Sequence, residues 1–74
     1  MQILFWEKHP KCSDEWRLML RLPRKRPRPV ATVWENGTWH TWDHRGIGGW
    51  NDCCATVAYA KHQASAAAVM QGFI

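Results

Sequence analysis

Between residues 16 and 22 the chain alternates: Trp16, Leu18, Leu20 and Leu22 share one side, Arg17, Met19 and Arg21 the other. A period of two predicts a half-buried β-strand. The same period flanks Asn36-Gly37 in VATVWENGTWHTWD, residues 30–43. Asn-Gly is favoured in a two-residue type I′ turn, where both positions take positive φ. The predicted hairpin sets Glu35 against Thr38, Trp34 against Trp39 and Thr32 against Thr41, so the two tryptophans form a cross-strand pair. Ala31, Val33, His40 and Trp42 take the other face. Both faces are partly apolar, and the pattern does not choose which one is covered. Gln2 to Glu7 also alternate, as a further short strand or as a frayed leader.

HRGIGGW, residues 44–50, predicts a glycine turn that reverses the chain through positive-φ positions. A phosphate-binding loop would carry a longer glycine fingerprint opening directly into a helix. From residue 55 onward the spacing changes to three and four: Val57, Ala60, Ala64, Ala67 and Gln71 form one stripe, and Lys61, Ser65 and Ala68 another. This predicts a helix with Thr56 as N-cap, or Asn51 or Asp52 if it starts earlier, and Gly72 just past its end. Small alanines facing a sheet leave space for tryptophans to fill. The expected fold is α+β: one domain over residues 1–74, a three- or four-stranded antiparallel sheet with one C-terminal helix packed on a face.

A chain of 74 residues has a thin core, so its six tryptophans weigh heavily, in packing or at a binding surface. Cys12, Cys53 and Cys54 are odd in number and two are adjacent, which favours a reducing compartment over a disulfide framework. Cys53 and Cys54 are expected as small packing residues near the helix start. MQILFW is too short for a secretory signal, and no apolar run reaches spanning length. A soluble, cytoplasmic protein is expected.

Charge sharpens the picture. Lys and Arg number ten against six Asp and Glu, and RLPRKRPRPV, residues 21–30, holds Arg21, Arg24, Lys25, Arg26 and Arg28. No acidic residue lies between Glu15 and Glu35. Prolines 23, 27 and 29 are expected to hold the segment extended so that the cations project. The plain reading is a solvated, proline-stiffened connection. The functional reading is a docking rim, with Trp39, Trp42 or Trp50 as anchors. Its partner would be an acidic groove on a protein complex, where Arg forks onto carboxylates, or nucleic acid, where the loop meets phosphates. The one good helix is Ala-rich with a single lysine, so base reading in a major groove is not expected. Nor do Trp and Arg share one amphipathic helix, which argues against a membrane surface.

His9, Cys12, His40 and His44 are nominal zinc-ligand types, yet they are expected as ordinary polar groups, with no metal or cofactor. A Cys/His nucleophile pair built on Cys12 or Cys53 has no motif to fix it, and the acids show no pairing. No enzymatic activity is expected.

The order of strand, basic turn, PVATVWENGTWHTWD hairpin, glycine turn and ATVAYAKHQASAAAVMQGF helix resembles the small accessory proteins of bacteriophages and prophages. The likeness covers residues 16–74 in layout and carries over no functional residue. It implies an inhibitor of a host machine, in its most concrete form an anti-CRISPR-like protein that binds a defence effector complex and blocks target DNA engagement. The alternative is a phage nucleic-acid-binding or regulatory module using the basic loop. An exposed sheet edge and surplus Trp leave a homodimer open.

Overall fold

The computed structural model describes residues 2–74. Five strands, β1 (Ile3–Lys8), β2 (Glu15–Arg21), β3 (Arg28–Trp34), β4 (Thr38–Trp42) and β5 (Gly48–Cys53), precede one helix, α1 (Val57–Met70). Every strand pairs antiparallel with its neighbour in sequence, giving the order β1-β2-β3-β4-β5. The α+β class and the C-terminal helix on the sheet stand. The strand count exceeds the expected three or four, because residues 3–8, in place of the candidate span 2–7, pair with β2 and a fifth strand begins within the expected glycine turn.

That fifth strand corrects the reading of residues 44–50. Only Gly46 has positive φ there (+79°). Gly48 and Gly49 are extended strand residues whose missing side chains make room for others. A Cβ on Gly48 would strike the His40 imidazole; one on Gly49 would lie 2.5 Å from Thr41 Oγ1 and 2.8 Å from the Phe73 ring.

The β3–β4 hairpin is also corrected, by one residue. Gly37 alone takes positive φ (+89°), and its N–H donates to the Trp34 carbonyl at 2.9 Å. The connection is thus the three-residue kind, a turn closed by a left-handed glycine, rather than type I′. Val33 faces Trp39, Thr32 faces His40 and Ala31 faces Thr41. A one-residue shift exchanges faces, so Trp34 and Trp39 lie on opposite sides and form no pair. Gly37 is required twice over: a Cβ would run into the backbone of Cys54, whose N–H donates to the Gly37 carbonyl at 2.8 Å.

The register decides what the helix covers. Leu18, Leu20, Ala31, Val33 and Trp39 pack beneath Ala60, Ala64, Ala67 and Ala68 of α1, which lies over β3 and β4. This is the expected scheme of small residues on the helix and large ones on the sheet. Trp39, only 5% exposed, is a core residue and not a docking anchor. Over β1 and β2 the helix side is closed by Lys61, whose Nζ sits 5.3 Å from the Trp6 ring and 5.1 Å from Trp16. The Thr56 hydroxyl caps α1 by accepting from Tyr59 N–H at 3.1 Å. At the other end Gly72 N–H donates to Val69 and Phe73 N–H to Ala68, a Schellman closure with Gly72 at φ +76°. A buried polar knot fastens this end to the sheet: the Thr41 hydroxyl donates to Gln71 Oε1 at 2.5 Å and accepts from Trp50 N–H at 2.9 Å. Among the described residues no helix is long and apolar enough to cross a membrane.

Candidate docking surface

A five-stranded meander sorts its connections by end. The β2–β3 loop and the β4–β5 turn lie at one end; the β1–β2 loop and the β3–β4 turn lie at the other, where Glu35 N–H donates to the Asp14 carbonyl at 2.8 Å. Charge follows this sorting. Arg21, Arg24, Lys25, Arg26, Arg28 and Arg45 collect at the first end, while Glu7, Asp14, Glu15, Glu35 and Asp52 lie toward the second, where Lys8 and Lys11 offset part of their charge.

The one acid at the basic end, Asp43, is engaged within its own turn. Its carboxylate accepts from Ile47 N–H at 2.9 Å, Arg45 N–H at 2.8 Å and the Arg45 guanidinium at 3.0 Å. These contacts, the Ile47 amide foremost, hold its carboxyl below the ordinary Asp range. It therefore does little to neutralise the neighbouring loop.

Within that loop the chain is turned rather than extended, a correction to the polyproline expectation. Leu22, Pro23, Arg24 and Lys25 form a β-turn closed by Lys25 N–H to the Leu22 carbonyl at 3.3 Å. Pro23 suits its second position, and φ of +62° at Arg24 marks the type II pattern, whose third position normally carries Gly. Arg24 is the one non-glycine residue with positive φ among those described. The turn throws Arg24, Lys25 and Arg26 outward, all exposed and without an ion-pair partner among the described residues.

The remaining expected site residues separate. Arg21 lies on the sheet face away from the helix, its guanidinium 5.9 Å from the Phe5 ring. Arg28 turns to the helix side, where Nη2 donates to the Phe73 carbonyl at 3.0 Å. Trp50, half exposed on β5, borders a groove of about 320 Å³ against Gln63 and Met70 of α1. Trp42 lies on the helix-free face, stacked on His40 with ring centres 4.5 Å apart and planes 8° off parallel, its Nε1–H donating to Thr32 Oγ1 at 2.7 Å. The three expected anchors thus occupy three places, and only Trp42 and Trp50 are open to a partner.

The nominal zinc ligands are dispersed. His9 and Cys12 sit in the β1–β2 loop, where His9 Nδ1 accepts from Lys11 N–H at 3.0 Å and Cys12 N–H at 3.1 Å; His40 stacks on Trp42, and His44 stands at the basic end. Among the described residues no three His, Cys, Asp or Glu side chains gather as metal ligands do. Cys54 is half-buried against the core as expected, but Cys53 is exposed at the end of β5.

Sequence reasoning missed two features. The helix-free face carries Phe5, Arg17, Thr32 and Trp34 beside the His40–Trp42 stack, an assignment that depends on the hairpin register. Together with Lys25, Arg26 and Arg28, His44 lines a concavity of about 430 Å³ floored by Leu20 and Leu22. The signal for that meeting was the alternation of ends in a meander, readable only once β5 is counted. Compared with known proteins, the chain matches no family model, no curated protein and no solved structure.

Proposed function

We propose that this protein is a non-enzymatic docking module that sets its basic end against an acidic surface of a larger assembly and acts by covering it. The observation that carries the reading is the Arg24 turn. An arginine occupies a backbone position that favours glycine, at the tip of an end whose one acid is engaged elsewhere. Local strain of this kind persists where the residue's chemistry is used. The excess of cations at one end and of acids at the other would also orient the approach to a partner before contact. Given the layout shared with phage accessory proteins, a host-defence effector complex is the partner proposed, occluded so that target DNA cannot engage.

A second reading has its own support in the helix-free face, where Arg17 and Arg21 lie among Phe5, Trp34 and Trp42. Aromatic side chains and cations on an open sheet suit single-stranded nucleic acid, at about 1–3 kcal/mol per stacked base. One experiment separates the two. Tagged protein is used to capture partners from lysate of a CRISPR-bearing bacterium, with and without nuclease, alongside Arg24→Glu/Arg26→Glu. A discrete complex that survives nuclease and is lost in the variant supports the docking reading. Material that vanishes with nuclease replaces it with the nucleic-acid reading.

A further inference from the structure

We propose that the concavity between the 22–27 loop and the 43–47 turn is a phosphate-binding niche. Arg28 supplies the geometry. Its Nη2 is pinned on the Phe73 carbonyl at 3.0 Å, while Nη1, shielded from solvent, has no hydrogen-bond partner. A buried guanidinium N–H without an acceptor is uncommon, and a rotation of the Arg28 head toward the concavity it lines would bring Nη1 to an oxyanion there. The walls agree with that charge: Lys25 and Arg26 come from the loop and His44 from the turn, while Leu20 and Leu22 form an apolar floor that strengthens electrostatic contact. Asp43, adjacent to His44 in sequence, is held by Arg45 and the amides of residues 45 and 47. Three cations and an imidazole drawn from two loops match a phosphate better than a single carboxylate.

The niche rests in part on the docking reading, since Lys25 and Arg26 belong to the same end, but it is tested apart from it. Isotope-labelled protein is titrated at low salt with inorganic phosphate, with dimethyl phosphate as a diester model, and with chloride at matched ionic strength. The expected result is saturable movement of the His44 imidazole and the Leu22–Arg28 amides with phosphate and not with chloride. Saturation with dimethyl phosphate as well assigns the niche to a diester chain; saturation with inorganic phosphate alone assigns it to a monoester or free phosphate. Arg28→Lys, which keeps the charge but cannot span both acceptors, should weaken binding about tenfold, and His44→Gln should weaken it as well. Shifts that merely follow ionic strength overturn the niche, as does saturation of equal strength in both variants.

Discussion

Replacing Arg24 by glycine should stabilise the fold while weakening its docking. An L-residue held at φ +62° costs about 1–2 kcal/mol relative to its ordinary regions. Glycine removes that strain but loses more freedom on folding, about 0.5–1 kcal/mol. The difference spans about 0–1.5 kcal/mol, with a middle value of about 0.75, and for a domain of this size 1 kcal/mol moves the midpoint by about 4–8 °C. At that middle value Arg24→Gly should melt about 3–6 °C above Arg24→Ala, which loses the same charge but keeps the Cβ. Comparing the two variants cancels the relief of repulsion from Lys25 and Arg26. Thermal unfolding followed by tryptophan fluorescence at about 0.15 M salt reports the difference, and partner capture should fall equally in both. A glycine variant that melts at or below the alanine variant would refute the strained-turn account.

Three further outcomes follow from the same geometry. Thr41→Val keeps the shape of a fully buried side chain but removes the hydroxyl shared by Trp50 N–H and Gln71 Oε1, leaving the two only their mutual contact at 3.4 Å; urea denaturation should show a loss of about 0.5–1.5 kcal/mol. Gly49→Ala forces a Cβ against Thr41 Oγ1, Gln71 Nε2 and the Phe73 ring, and the same assay should register about 1–3 kcal/mol of overpacking. Because the folded state lowers the Asp43 carboxyl, its contribution is complete above the ordinary Asp value near 3.9 and is lost as pH falls through the lowered one. Amide shifts of Arg45 and Ile47 should follow that titration, and Asp43→Asn should abolish it.

What could be read in advance depended on how local its cause was. The alternation around Leu18 and Leu20, the Thr56 cap and the Gly72 terminus each rest on a few adjacent residues, and all took the expected form. The hairpin register did not, because Asn36-Gly37 is compatible with two loop lengths, and contact with Cys54, 17 residues after Gly37, accompanies the longer one. From that single step came the misplacement of Trp39. Gly48 and Gly49 concealed β5, since glycine in a strand carries no side-chain pattern; their use became visible only with His40 and Thr41 beside them. Of the basic cluster, the sequence disclosed its members and their density. Its division into an exposed tip, an open-face Arg21 and an inward Arg28 required the register of β2 against β3, which shifts at Leu18/Met19.

The helix lies over β3 and β4, while β1 pairs with β2 alone and meets the helix only where Lys61 covers Trp6. Amide exchange in such a layout should be graded across the sheet, slowest in β3, β4 and the buried stripe of α1, and fastest in β1 and β5. Pairings between chain neighbours also keep loop closures short, which favours rapid folding. The basic loop leaves β2 and enters β3, beside the slowest part of that gradient, and sets Arg28 next to the helix terminus. Local opening of β1 would therefore leave the 22–27 loop anchored on β3, so the loop keeps one shape even while that margin of the sheet breathes.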